Sequence, residues 1–324
     1  MNRRFALLQA AFSLVALAAV VWWASHQEAP HVPSSGSAIA WLLAAAGVYA
    51  LATLVRAERW HRILHLTGIE DAGRADCYAL TTVGYMGNNV LPARAGEALR
   101  VVLLDAKVGA GKRRLLGTIV AERLLDVIVL GVILVATAYG VFSDRDVLPT
   151  DRPILIAGAG LLGLVAGAGV FAILRRRGAL TRFRDFARPL AGAPRALLGR
   201  DGVVLLAGTC GLWALEGGVY LAVAKAVELD ISASGAFYLV ALTNFVAALP
   251  AAPGSIGTFD AAVAFGAKAL GGAGNVVVSY LLLLRFILYV PITVVGLAVM
   301  VVKYGGWARL RSATRLQASQ ATQA

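Results

Sequence analysis

A six-residue phrase that interrupts helices occurs twice in this chain, each time inside an apolar stretch. Residues 91–96 read LPARAG and residues 249–254 read LPAAPG. A proline inside a helix removes a backbone donor and clashes with the preceding turn, so neither stretch can form one continuous helix. A matching interrupted segment in each half of a membrane protein is typical of inverted-repeat transporters. The two copies therefore predict that architecture.

The chain is too apolar for an ordinary water-soluble domain. Hydrophobic residues make up 59% of it and charged residues 15%, whereas apolar residues make up about half of a soluble domain. A bilayer requires roughly 20 consecutive apolar residues per helix. Six stretches are predicted to be transmembrane helices, and they are residues 5–25, 38–56, 115–141, 154–174, 203–227 and 276–302. The first is expected to be a retained anchor and not a cleaved signal peptide.

Lysine and arginine in the loops predict the orientation of the first half, since these residues concentrate on the cytoplasmic side. Arg3 and Arg4 place the amino terminus in the cytoplasm. Basic residues also flank the first interrupted segment on both sides, at 56–74 and 105–114. Both flanks are therefore predicted to be cytoplasmic, so residues 76–104 must enter the membrane and return.

The second interrupted segment has the opposite kind of flank. Residues 175–200 carry eight arginines, which places them inside, and the next span then runs outward. The loops at 228–234 and 271–275 contain no lysine or arginine. Residues 235–270 are therefore predicted to enter the membrane from outside. Basic residues from 303 onward return the carboxyl terminus to the cytoplasm.

Together these patterns predict an all-α polytopic membrane protein with six full transmembrane helices and two re-entrant helical hairpins, arranged as an inverted repeat. The chain is expected to form a single transmembrane domain, residues 1–324. Its last residues, 304–324, are expected to be a disordered cytoplasmic tail. The first predicted half is residues 1–142, and its hairpin is residues 76–104. The second half is residues 153–303, and its hairpin is residues 235–270.

Charged residues recur at matching positions in the two halves. Arg123 follows Glu97 by 26 residues, and Arg285 follows Asp260 by 25. An ionised side chain at the centre of a membrane helix costs about 2.5 to 3.5 kcal/mol on insertion scales. Arg123 and Asp126, at positions i and i+3, are therefore expected on one inward face. There they either form an internal ion pair or contact a ligand.

Two further charges lie alone in their spans. Arg285 has no acid nearby in sequence, so its partner must be Glu216, Asp260, a group on another span or a ligand. A ligand phosphate is favoured, because guanidinium binds phosphate bidentately. Glu216 either pairs with Arg285 or is protonated and acts in proton coupling. Glu122 is a second candidate for that coupling role.

The two breaks are expected to line one interior site, because irregular backbone at membrane depth must face protein or a water-filled cavity. Gly96, Gly254 and Gly257 allow close approach of the backbone, and the helix that begins after each break presents N–H groups that favour anions. Further candidate substrate-binding residues lie beside the breaks, and they are Asn88, Asn89, Arg94, Arg100, Asn244 and Pro253. The asparagines among them either cap freed backbone groups or bind ligand.

Other patterns predict no additional chemistry. Residues 109–112 read GAGK, but Arg113 replaces the Ser or Thr of a phosphate-binding loop. His61 and His65 have the spacing of metal ligands but lie among arginines at a predicted membrane surface. No nucleophile-and-base arrangement is present, and the net charge of +12 is concentrated in cytoplasmic loops. We therefore expect no metal, no cofactor and no nucleic-acid partner.

The motifs in combination resemble a known family. Residues 89–97 with Arg100, residues 122–126 and residues 250–257 are similar to the flippase-like membrane domain of lysylphosphatidylglycerol synthases and their stand-alone relatives. The resemblance extends over nearly the whole chain. It implies translocation of a polar lipid, at a site lined by Arg94, Glu97, Arg100, Arg123 and the loop at Pro253 and Gly254.

Two departures from the family pattern leave the lipid open. Ser255 stands where the family more often has Gly, and Asp260 where it more often has Glu. The chain also lacks the soluble aminoacyl-transferase domain of the bifunctional members, so it is not expected to synthesise its lipid.

The leading hypothesis is a lipid flippase of a bacterial-type inner membrane, with both termini cytoplasmic and no enzymatic activity. It would move a lipid with an anionic or aminoacylated head group by alternating access, holding the head group near the midplane. The expected partners are membrane lipids, and a homodimer is a candidate assembly. One alternative is a membrane enzyme or accessory subunit of lipid modification or glycosylation that uses Glu97, Asp260 or Glu216 as acid or base. Another is a small-ion transporter.

Overall fold

The computed structural model describes residues 33–91, 94–142, 199–248 and 252–305, with scattered positions between 15 and 30. Every regular element among them is helical, which confirms the all-α prediction for this part of the chain. The predicted span at 154–174, most of the span at 5–25, the arginine-rich segment before residue 199 and the tail beyond residue 305 lie outside the described residues. The helices are α1 (Gly36–Leu66), α2 (Arg74–Val90), α3 (Ala95–Val108), α4 (Lys112–Phe142), α5 (Arg200–Ala226), α6 (Ala233–Ala248), α7 (Thr258–Ala269) and α8 (Gly274–Tyr304), with a 3-10 turn at Pro253–Ser255.

Four long helices, α1, α4, α5 and α8, correspond to predicted transmembrane spans. Within the described part of the chain, α1, α5 and α8 are long and apolar enough to cross a membrane. Helix α4 is as long as α1, at 31 residues, but carries Glu122, Arg123 and Asp126. Large apolar side chains such as Leu43 and Val135 point outward and are 69% and 73% exposed. Such surfaces suit contact with lipid tails, which are as apolar as leucine.

The prediction that the second span ends at residue 56 is wrong, because α1 continues to Leu66. Arg56 and Arg59, predicted to lie in a cytoplasmic loop, are instead inside α1 and only 5% and 6% exposed. Buried carboxylates on α5 and α4 pair with them, so the charges do not require water.

Each predicted re-entrant segment is a pair of helices joined by a short break. The break between α2 and α3 includes Arg94, whose φ of 53° is left-handed. The break between α6 and α7 includes Gly254, with φ of 63°, and Gly257, with φ of 85°. Glycine adopts this conformation at no steric cost, which accounts for the two glycines of the second break. Arg94 adopts it with a side chain.

Glycines also allow the two helices of the first hairpin to pack closely. A Cβ atom on Gly96 of α3 would lie 1.9 Å from the carbonyl oxygen of Gly84 and 2.5 Å from the backbone nitrogen of Asn88, both on α2. In the second hairpin, a Cβ on Gly266 of α7 would lie 2.5 Å from Cδ2 of Leu239 on α6. The first hairpin therefore depends on a position where only glycine fits, whereas in the second a larger residue would have to displace the Leu239 side chain.

The helices of the two halves pack on each other reciprocally. Helix α2 packs on α8, and α6 packs on α4, so each hairpin lies against the last long helix of the other half. Helices α1 and α5, the counterparts of each other in the two halves, form the broadest contact in the described structure. The second break packs on α2 as well. This arrangement brings the two helix breaks together at the centre of the molecule.

Candidate functional site

A cavity of about 100 Å³ lies between the two helix breaks. Residues of the first hairpin and break form one wall, and residues of the second form the opposite wall. Helices α1, α5 and α8 complete the lining. The wall residues named by the sequence analysis are Asn88, Asn89, Arg94, Glu216, Asn244 and Gly254. The expectation that both breaks face one interior site agrees with this geometry.

Arg94 is the residue of the cavity wall whose charge is not balanced. It forms no ion pair and no hydrogen bond with any described residue. The other charged residue of the wall, Glu216, pairs with Arg56. Among the described residues of the wall, the exposed side chain of Arg94 is therefore the charge without a protein partner, and an unpaired cation favours an anionic ligand.

The backbone of Arg94 points to the same conclusion. A left-handed conformation costs a residue with a side chain roughly 1 to 2 kcal/mol, and such strain often marks a functional position. Arg94 is the amino-terminal cap of α3. Arg94 therefore lies directly before the first turn of α3, and a helix amino terminus also attracts anions.

The second break is held by Arg285 of α8. Its Nε and Nη2 atoms donate to the two carboxylate oxygens of Asp260 at 2.7 and 3.0 Å, and Nη1 donates to the carbonyl oxygen of Gly254 at 3.3 Å. Asp260 also accepts the N–H of Gly257 at 2.8 Å. Of the partners considered for Arg285, the structure therefore shows Asp260. The carboxylate of Asp260 also occupies the start of α7, where the sequence analysis expected an anion to bind.

The first break has an equivalent contact. Nε of Arg123 on α4 lies 3.1 Å from a carboxylate oxygen of Glu97, in the first turn of α3. Arg123 also donates to Asp126 at 3.1 Å, so the predicted i, i+3 pair forms. Each half thus joins the helix after its break to its last long helix by an arginine and an acid. These contacts position the two breaks, and Arg94 has no ion-pair partner among the residues that the structure describes.

The acids of α4 continue into a buried network with α1 and α3. Arg59 donates to Asp126 at 2.6 Å and to the hydroxyl of Thr209 on α5 at 3.0 Å. Arg100 pairs with Glu122, and its guanidinium lies 4.0 Å from the centre of the Trp60 ring. With the pair of Arg123 and Glu97, this network contains three arginines and three acids and is neutral. It lies beside the cavity and does not line it.

Arg56 and Glu216 form a separate buried ion pair between α1 and α5. Arg56 also lies between the rings of Tyr85 and Trp213, at 5.5 and 5.7 Å from their centres. From the sequence, Arg285 is a candidate partner of Glu216, because Arg56 is predicted to lie in a cytoplasmic loop. The structure pairs Glu216 with Arg56 instead. The i, i+3 spacing of Arg56 and Arg59 within one helical stretch was the signal that both face inward.

The three asparagines beside the breaks differ in their contacts. Asn89 donates to Thr293 on α8 at 2.8 Å, and so joins α2 to α8. Asn244 donates to the Val240 carbonyl oxygen of its own helix at 2.9 Å. The side-chain oxygen of Asn88 is buried, with no hydrogen-bond partner in the described structure. That oxygen packs inside the first hairpin, since a Cβ on Gly96 of α3 would lie 2.7 Å from it.

Some predicted residues lie outside the cavity wall, and some wall residues were not predicted. The predicted residues outside the wall support the breaks or the ion-pair network, and they are Gly96, Glu97, Arg100, Glu122, Arg123, Asp126, Pro253, Gly257, Asp260 and Arg285. The wall residues that were missed are largely hydroxylated or aromatic, and include Tyr49, Tyr85, Tyr220, Thr243, Phe259 and Tyr289. Their ordinary frequency in membrane helices gave no signal in the sequence.

No group of metal-ligating side chains occurs among the described residues. The rings of His61 and His65 lie 4.3 Å apart, and His61 faces Glu58 at 3.9 Å. The described cysteines, Cys77 and Cys210, are both free.

Comparison with known proteins gives one match. A family model described as the lysylphosphatidylglycerol synthase transmembrane region matches residues 7–296. Both helix breaks and the whole cavity wall fall inside the matched range. No curated protein and no solved structure matches the chain.

Proposed function

The chain belongs to the family of the lysylphosphatidylglycerol synthase transmembrane region, and from this premise we propose that it is a lipid flippase. Membership gives the protein a membrane location and a role related to lipids. The proposed activity is movement of a lipid with an anionic or aminoacylated head group across a bacterial-type inner membrane, without covalent chemistry. The head group occupies the central cavity, and the acyl chains remain in an apolar environment.

The single observation that carries this proposal is the unbalanced charge of Arg94 in the cavity wall. A phosphate is the anionic group common to phospholipid head groups, aminoacylated or not, and guanidinium binds it bidentately. Arg94 is also the amino-terminal cap of α3, and a helix amino terminus favours anions.

The reciprocal packing of the helices supports the inverted repeat and alternating access. We assign the chain six full transmembrane helices and two re-entrant hairpins that enter from opposite sides, with both termini in the cytoplasm. Because each hairpin lies against the last long helix of the other half, a movement of one half relative to the other changes access on both sides of the cavity. This is the usual mechanism of repeat transporters.

The acids of the site support transport over an enzymatic reaction. Glu97, Asp260 and Glu216 each contact an arginine of the protein. A general acid or base must instead exchange a proton with a substrate within hydrogen-bond reach. We assign Glu216 a coupling role, because it is the acid of the cavity wall and its partner Arg56 is on a different helix.

Replacing Arg94 by glycine is expected to abolish translocation without unfolding the protein. Glycine removes the free cation and relieves the left-handed strain, while it also adds about 0.5 to 1 kcal/mol of backbone entropy cost. The two changes oppose each other, so the melting temperature should remain within a few degrees of wild type. The measurement is dithionite quenching of fluorescent phosphatidylglycerol in proteoliposomes, together with thermal unfolding in detergent.

The control is Arg62→Ala, which removes an exposed arginine of α1 that is not in the cavity wall. This variant should translocate at the wild-type rate. A wild-type rate in Arg94→Gly would contradict the assignment of the site, and absence of translocation in the wild type would contradict the proposed function.

A further inference from the structure

A second cavity, apolar and about 240 Å³ in volume, lies between α1, α2 and α8. Helix α1 supplies one wall, which includes Ala50 and Leu54, and α8 supplies the other, which includes Pro291 and Val295. Leu54 and Val295 are 53% and 49% exposed. The rim of this apolar groove therefore reaches the lipid-facing surface of the protein.

Apart from Tyr49, the only polar side chains that line the groove within the described part of the chain are two threonines. Its two threonines have internal partners: the hydroxyl of Thr53 donates to the carbonyl oxygen of Tyr49 at 2.9 Å, and that of Thr82 to the carbonyl oxygen of Ala79 at 2.8 Å. No charged residue lines it among those that the structure describes. Such a wall suits a saturated or unsaturated hydrocarbon chain and excludes ions and polar groups, which would lose their hydration without compensation.

The groove adjoins the head-group cavity at Tyr49, which lines both. The two spaces are therefore neighbours, with Tyr49 as their common wall, which is the arrangement expected for a molecule with a polar end and an apolar chain. We propose that the apolar groove holds one acyl chain of the lipid whose head group occupies the central cavity. This inference rests on the proposed function, and it names the substrate as a lipid held at both ends and not as a free head group or a small ion.

The groove should guide the chain more than it tightens binding. Lipid tails are as apolar as the groove, so a chain that moves from the bilayer into the protein gains little hydrophobic free energy. Filling the groove should therefore slow lipid movement and leave head-group binding unchanged. Ala50 allows this test, because phenylalanine at that position would project into the groove. Ala44→Phe is the matched control, since Ala44 is an exposed alanine of the same helix outside the groove.

The first measurement is translocation of phosphatidylglycerol in proteoliposomes. We expect Ala50→Phe to reduce the rate at least about tenfold and Ala44→Phe to leave it within about twofold. A chain-free glycerophosphoglycerol should bind both variants with the wild-type affinity. Equal rates in the two variants would overturn the groove assignment while the proposed function remained in place.

The second measurement does not depend on transport. Photoactivatable phosphatidylglycerol, with the reactive group in its acyl chain, is reconstituted in vesicles of phosphatidylethanolamine and phosphatidylglycerol, and the adducts are mapped by mass spectrometry. We expect adducts at Thr82 in the wild type and in Ala44→Phe, and their loss in Ala50→Phe. Adducts confined to outward residues such as Leu43 would overturn the proposal. Groove adducts without translocation would retain the groove and reject the flippase.

Discussion

Gly96→Ala is expected to prevent the first hairpin from forming and to yield little folded protein. The new Cβ would lie 1.9 Å from a backbone oxygen of Gly84 and 2.5 Å from the backbone nitrogen of Asn88. Backbone atoms cannot rotate away as a flexible side chain can, so α2 and α3 must separate. Overpacking of a tight contact usually costs about 1 to 3 kcal/mol, and a clash with main chain on both sides should exceed the upper value. The measurement is the monodisperse fraction in size-exclusion chromatography, with thermal unfolding of any folded material.

Gly47→Ala provides the matched control in a helix of the same half. A Cβ at Gly47 would meet no atom within 4 Å, and alanine is favoured over glycine inside a helix by about 0.8 to 1.0 kcal/mol. This variant should fold at least as well as wild type. If Gly96→Ala purified with a wild-type melting temperature, the close approach of α2 and α3 would be incorrect.

The helix breaks could be predicted from sequence because they depend on local chemistry. Proline and glycine act on the residues next to them, so residues 91–96 and 249–254 indicated the interruptions directly. The carboxyl-terminal limit of α1 could not be predicted in this way. Arg56 and Arg59 resemble loop residues in a count of charges, and only their partners on α5 and α4 show that they lie in a buried helix.

The pairing of charges was predictable only where the partners are close in sequence. Arg123 and Asp126, three residues apart on α4, were expected on one face and form an ion pair. The partner of Glu216 lies 160 residues away, and no periodicity connects the two. The unpaired charge of Arg94 at the cavity likewise depends on tertiary contacts and not on sequence spacing. Arg94 was one of several candidate arginines in the sequence, and only the pairing of the others distinguishes it.

Arg56→Met is expected to destabilise the protein by about 3 to 5 kcal/mol, because it leaves Glu216 buried without its partner. Both side chains are 7% exposed, so bulk water cannot hydrate the carboxylate of Glu216 once its arginine partner is removed. The double variant Arg56→Met with Glu216→Met should recover most of this loss, since a buried ion pair can often be replaced by apolar side chains of similar volume. Thermal unfolding of the two variants, with Arg62→Met as the control for an exposed arginine of α1, measures the difference.

The same double variant separates the role of Glu216 in stability from its role in transport. A folded protein without this acid retains Arg94 and the cavity, so phosphatidylglycerol should still be translocated. Its rate should no longer respond to an imposed pH gradient if Glu216 carries the coupled proton, whereas the wild-type rate should respond. A double variant as unstable as Arg56→Met would contradict the isolated ion pair. A retained pH response would contradict the coupling role, and would make Glu122 the next acid to test, since its arginine partners Arg59 and Arg100 lie on α1 and α3.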